Sequence, residues 1–192
     1  MTLKNRSSLA SLLAPAVLLA LTACGGDPVL DPVFSGLRAE YDALEERIFP
    51  ASRTDPQNLP RIGGVYEGVL ALAYYEEGER FTETAAARIK LLVDFIEDDI
   101  AGEVTLLTRA GGAPVTGALV IRTGPIMGHD FTASLFGELV IGGNPVMLEG
   151  AMDGSFWTPT GGGEGGTFAY GNIQFSAASG AQRFGGTFAA ER

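Results

Sequence analysis

The stretch "RIKLLVDFIEDDIAGEVTLLT", Arg88–Thr108, decides how the rest of the chain is read. Ile89, Leu91, Val93 and Phe95 fall on one side of an alternating strand, with Arg88, Lys90 and Asp94 on the other. A period of two with one apolar and one polar face is the pattern of a half-buried β-strand. The acidic break "EDDI" follows, and "GEVTLLT" resumes the strand pattern, so the whole stretch predicts a hairpin. Glu97, Asp98 and Asp99 have the acidity of a calcium loop but not its alternating spacing with a central glycine, and read as turn residues.

Working outward, six further runs carry strand signals: "GVYEGVLALAYY", "VTGALVIRT", "HDFTASLFGELVI", "VMLEGAMDGSFW", "GGTFAYGNIQF" and "RFGGTFAA". With the two of the opening stretch they make eight, separated by short breakers rich in Gly, Pro and acidic residues. Glycine, at 27 of 192 residues, is about twice its usual share of roughly 7%. Even spacing with no helical pattern between the runs predicts an all-β fold, an eight-stranded antiparallel up-and-down β-barrel over residues 62–192. A two-sheet sandwich is the alternative. "GGTFA" occurs at Gly165–Ala169 and again at Gly185–Ala189, and its glycines are expected to let strands bend, with Phe168 and Phe188 as core residues.

Upstream, "FSGLRAEYDALEERIFP" places Phe34, Leu37, Tyr41, Leu44 and Ile48 three and four residues apart. This predicts one short N-terminal amphipathic helix, capped by Ser35 and stopped by Pro50, whose apolar stripe packs on its own domain or on a partner. Residues 51–61, "ASRTDPQNLPR", read as turn and linker, which makes residues 34–61 a helix-and-linker unit.

The first 23 residues differ in kind. Lys4 and Arg6 precede the apolar run "LASLLAPAVLLALTA", with no acid before Asp27, the pattern of a secretory signal too short for a spanning helix. The join "LTAC" resembles the bacterial lipobox, which implies cleavage before Cys24 and acylation of its thiol and new amine. Cys24 is the only cysteine, so no internal disulfide is available, and lipidation accounts for a lone thiol in an exported chain. Residues 24–33 then serve as lipid anchor and tether, and Gly25 is compatible with sorting to the outer membrane. Removal of residues 1–23 takes two basic residues and no acid, leaving 11 Lys and Arg against 23 Asp and Glu, a formal charge of −12. That balance argues against nucleic acid as a partner.

Four stretches together resemble the β-barrel of transferrin-binding protein B and related surface lipoproteins: "LLVDFIEDDIAGEVTLL", "GHDFTASLFG", "LEGAMDGSFWTPTGGGEGGTF" and "RFGGTFAAER". The resemblance implies a lipid-anchored barrel at the outer membrane, with display on the cell surface by a dedicated export translocon, and recognition of a protein ligand. The iron-carrier receptor has two lobes with large handle domains, and this chain has one barrel behind one helix. Transferrin binding therefore does not carry over, and no binding residue transfers by position.

Chemistry-bearing motifs are few. Gly161, Gly163 and Gly166 satisfy G-x-G-x-x-G, but a strand follows them where a dinucleotide site needs a helix. His129 is the sole histidine, beside Asp130, and reads as a turn residue; a Ser/His/acid triad built on it lacks any supporting motif. No catalytic residue, metal or cofactor is expected. Trp157 and Phe156 adjoin the loop "TPTGGGEG"; one of the two must face outward, so Trp157, Phe156 and Glu164 form the expected binding rim. The expectation is a lipoprotein that binds a macromolecular partner without catalysis. The alternative is a structural or assembly lipoprotein facing the periplasm.

Overall fold

The computed structural model describes residues 31–76, 83–111, 115–161 and 165–192. The signal segment, Cys24, Gly25 and the tether up to residue 30, together with Gly163 and Glu164, lie outside the described residues. The chain runs α1 (Pro32–Ile48), β1 (Ser52–Arg53), a short 3₁₀ turn (Pro56–Asn58), then β2 (Gly64–Glu76), β3 (Glu83–Asp94), β4 (Asp99–Arg109), β5 (Val115–Met127), β6 (Asp130–Ile141), β7 (Asn144–Thr158), β8 (Phe168–Ala177) and β9 (Gln182–Glu191). Consecutive strands from β2 to β9 pair antiparallel, and β2 pairs with β9 from Glu67↔Glu191 to Glu76↔Gln182, closing an eight-stranded barrel. Closure leaves none of these strands as an open edge.

The opening hairpin forms as its pattern predicts. Val93 opposes Ile100, and Asp94 opposes Asp99. The Asp94 carboxylate accepts from the Ile96 amide at 2.8 Å and the Glu97 amide at 3.2 Å, and Asp98 takes a positive φ of 53°. The acidic cluster is thus the machinery of a tight turn. Between β6 and β7 the turn needs only Gly142 and Gly143, both at positive φ, the signature of a two-residue hairpin loop.

Alternate residues of all eight strands fill the interior. At one end Phe156 lies 5.0 Å from Phe131, 5.0 Å from Phe95 and 5.6 Å from Tyr66, ring centre to ring centre. At the other, Phe184 lies 4.7 Å from Tyr74 and 4.9 Å from Phe175. Gly154 and Gly171 oppose each other between these layers, and a β-carbon at Gly154 would stand 2.7 Å from the Phe131 ring and 2.8 Å from the Phe188 ring. The glycine content therefore serves close strand contact and large rings inside a narrow barrel.

The two "GGTFA" copies differ in role. Gly165 and Gly166 sit in the loop before β8, while Gly185 and Gly186 are within β9. Phe188 belongs to the interior core, whereas Phe168 is buried on the outside of the wall, beneath α1. Both phenylalanines are core residues, of two different cores.

Helix α1 opens earlier than its apolar stripe suggests. Its cap is Asp31, whose carboxylate accepts from the Val33 and Phe34 amides at 2.7 and 3.2 Å; Ser35 lies inside the first turn, and Pro32 and Val33 belong to the helix, not to a tether. All five predicted apolar positions are buried against Val69, Ala86, Phe168 and Ala189 on the outer wall. Small residues on the strands let the helix approach closely. Arg88 pairs with Glu40, and Arg47 with Glu191 at 2.8 Å, tying the helix to β3 and β9.

Tyr41 anchors the helix centre, its hydroxyl 2.6 Å from Thr187 Oγ1 and 3.0 Å from Glu45. Burial, first of all, pushes its phenol well above the ordinary value of about 10. A raised folded-state pKa means stability is fully present below the unfolded value and falls as pH rises beyond it. Chemical unfolding should thus show wild type losing stability above pH about 10, and Tyr41→Phe losing less over the same interval.

Residues 51–61 are more than a linker. Ser52 and Arg53 pair with Thr158 and Trp157, extending β7 past the start of β6. Thr54 is buried, its Oγ1 2.9 Å from that of Thr158 and 3.0 Å from the Gly166 amide. Asp55 caps the 3₁₀ turn, and Leu59 packs onto the aromatic core, so this segment closes one mouth of the barrel. Inside, the Tyr66 hydroxyl donates to the Gly166 carbonyl.

Candidate functional site

Among the described residues, concave surface is found on the outside of the wall. Three depressions of about 710, 330 and 460 Å³ follow one another along the outer face of β7, β8 and β9. The first and second share Ala151, Gln174 and Gly185; the second and third share Asp153 and Asn172. They form one continuous furrow, which spans Glu149 to Ser155 on β7, roughly 20 Å at 3.4 Å per residue.

Strand register sets its contents, because directly opposed residues share a face. Near the closed mouth the row is Ser155, Tyr170 and Ala189, and Asp130 opposes Ser155 from β6. The next row is Thr132, Asp153, Asn172 and Thr187. Below it come Ala151, Gln174 and Gly185, then Glu149, Ser176 and Arg183, with Tyr75 opposite Arg183. The centre is floored by small residues and lined by hydroxyl, amide and carboxylate groups. Aromatic side chains stand at both ends.

The polar groups are held. Asn172 Nδ2 donates to Asp153 Oδ2 at 3.1 Å, and the Ser155 hydroxyl donates to Asp130 Oδ1 at 2.5 Å. The Arg53 guanidinium stands 5.7 Å from the centre of the Trp157 ring.

The structure redistributes the predicted rim. Trp157 is partly exposed and lines the furrow, with its other side against the helix-covered cluster. Phe156 is fully buried in the barrel interior and cannot belong to a rim. Its neighbour Trp157 faces out, where it packs against the cluster beneath α1, leaving the inward parity to Phe156. Glu164 is outside the described residues. Gly161 and Gly166 belong to the loop ahead of β8, a strand, so the G-x-G-x-x-G spacing opens no helix.

His129 occupies the β5–β6 turn, its Nε2 3.5 Å from Asp130 Oδ1. Ser155, Asp130 and His129 are therefore together, but in the order hydroxyl, carboxylate, imidazole. A nucleophilic triad needs the imidazole between the other two, and here the seryl proton is committed to the carboxylate. This arrangement holds a turn against β7, where the Phe156 amide donates to the His129 carbonyl at 2.8 Å.

No protein-family model matches the chain, and no curated protein matches it. Solved structures do. A mutant of the vaccine antigen transferrin binding protein B from Haemophilus parasuis Hp5 aligns with a TM-score of 0.49 at 19% identity, covering 73% of this chain and 28% of that one. A double mutant of the same protein gives 0.48 at 18%, and the intact Ap-TbpB with its N and C lobes gives 0.47 at 19%, each with the same coverage. The likeness is one of fold. This chain spans little more than a quarter of the length of those proteins, 28% in each case.

Asp153, Asn172, Gln174 and Arg183 were not singled out by sequence reasoning. The signal that carries the first three is the outward half of the alternation in "GAMDGSFW" and "AYGNIQFSA"; Arg183 holds the matching outward place in "QRFGGTF".

Proposed function

We propose that this chain is an exported lipoprotein, held at the outer membrane by acylated Cys24, whose barrel binds a macromolecular partner, a protein in the first instance, without catalysis. The observation that carries the reading is the furrow. The barrel is solid, the apolar stripe of α1 is spent on its own wall, and the furrow of β7, β8 and β9 keeps its polar side chains toward solvent. A ligand-binding face needs concavity with oriented polar groups, and these strands supply both. The lipobox at "LTAC" supports the anchor, and the barrel likeness to transferrin binding protein B is consistent with a binding role.

Mass analysis of the mature N-terminus should find acylated Cys24; an intact residue 1–23 segment or an unmodified thiol ends the anchoring claim. Protease added to intact cells should digest a surface-displayed barrel, and protection until the outer membrane is broken would leave the periplasm-facing alternative. A photo-crosslinker at Thr132, exposed at the margin of the furrow, should trap a discrete partner in intact cells. One at Glu103, exposed on β4 across the barrel, should not. Equal trapping at both positions rules out the furrow as the binding face.

A further inference from the structure

We infer that the furrow receives a neutral glycan chain, carried by the partner or supplied as a free polysaccharide; this rests on the furrow being the binding face. Peptide binding by strand addition needs an open sheet edge. Each of β7, β8 and β9 is paired on both sides along the furrow, from Leu148↔Ala177 to Trp157↔Phe168 and from Phe168↔Glu191 to Ser176↔Arg183, so no backbone edge is offered there. Binding by apolar side-chain anchors needs sockets, and the furrow centre has instead the flat floor of Ala151 and Gly185.

What the furrow does offer is a set of side-chain donors and acceptors at fixed spacing. Asn172 and Asp153 hold each other at 3.1 Å, which orients an amide oxygen and a carboxylate oxygen toward solvent without spending their full capacity. Gln174, exposed two residues along the same face of β8, repeats the amide about 7 Å away. A ladder of oriented amides and carboxylates suits the hydroxyls of a sugar chain. The partly exposed Trp157 at one end supplies flat aromatic surface for the apolar face of a sugar ring.

The charge selects the class. Asp130, Asp153 and Glu149 outnumber Arg53 and Arg183 along the furrow, and the one central charge is the Asp153 carboxylate. Sulphated or sialylated chains would place like charges against it, so a neutral chain is favoured.

The test uses the full-length protein on a printed array of neutral, sialylated and sulphated oligosaccharides, followed by titration of the best neutral binder with Trp157 fluorescence. Trp157 is the only tryptophan and lines the furrow, which makes the signal specific to the site. Neutral glycans are expected to bind, and Asn172→Ala and Gln174→Ala to weaken them tenfold or more with unchanged thermal midpoints. The two sources separate by enzymatic deglycosylation of the cells before irradiation. Loss of trapping at position 132 assigns the glycan to the partner, and retained binding of protein-free neutral oligosaccharide alone assigns it to a polysaccharide. Trapping of a deglycosylated partner with no glycan bound on the array overturns the glycan inference and leaves the furrow reading standing. Neither trapping nor array binding overturns both.

Discussion

Replacing Phe156 with alanine is expected to remove about 4 kcal/mol of folding stability, the range for a buried phenylalanine cut to a methyl group. Phe156 is fully buried, and Tyr66, Phe95 and Phe131 surround it within 5.6 Å, ring centre to ring centre. Each partner comes from a different part of the chain: Tyr66 from β2, Phe95 from the β3–β4 turn and Phe131 from β6. Collapse into the vacated space would have to move three elements at once, so the cavity persists and the loss sits at the high end. The thermal midpoint should fall by roughly 10 °C for a domain of this size. The neighbouring Trp157→Ala should cost less, because one side of that ring is already in the furrow. Denaturant unfolding followed by far-ultraviolet dichroism measures both. A Phe156 variant as stable as wild type would mean that the residue faces out and that the assigned inward parity of β7 is wrong.

That parity marks the limit of what the amino-acid order alone conveys. In "RIKLLVDF" the two faces differ in chemistry, so alternation names the inward set, and Ile89, Leu91 and Val93 are indeed buried. In "SFWT" two large aromatic residues are adjacent, and alternation says only that they point oppositely. The choice is made by residues far away: Ser52 and Arg53 pair with the end of β7, and Trp157 packs against the cluster beneath α1. The same distance effect hid the role of residues 51–61. Their prolines and polar residues look like turn chemistry, which they are, but Leu59 and the buried Thr54 are anchored only once the barrel exists to receive them.

The furrow was less legible than the fold for a related reason. Asp153, Asn172 and Thr187 lie on three strands and meet only through register, with pairings Asp153↔Asn172 and Asn172↔Thr187. Register follows from which interior residues interlock, and that is a property of the closed barrel. The loop glycines drew attention by density alone. The chemistry lies instead on the flat middles of strands, where polar residues at every second position look like an ordinary solvated face.

The adjacent glycines of the second "GGTFA" copy should respond oppositely to the same small change. Gly185 faces the furrow, and a β-carbon there would meet nothing within 4 Å. Gly185→Ala is therefore expected to be neutral, or to gain up to about 0.5 kcal/mol, because alanine loses less backbone freedom than glycine when a strand forms. Gly186 faces inward opposite Leu72 and Ile173. A β-carbon there would overlap the Ala71 carbonyl oxygen and stand 3.0 Å from both the Ala71 carbonyl carbon and Leu72 Cα. These are backbone atoms of the strand that closes the barrel, so no rotamer change relieves the clash; β9 must move away from β2, where the sheet closes on itself. The expected loss for Gly186→Ala is about 3 kcal/mol, the upper part of the range for overpacking. Hydrogen exchange should show the lost protection first in the amides that β2 and β9 share, ahead of the β6–β7 hairpin. Equal effects at the two positions would contradict a closed barrel with this register, since only closure between β2 and β9 distinguishes one glycine of the pair from the other.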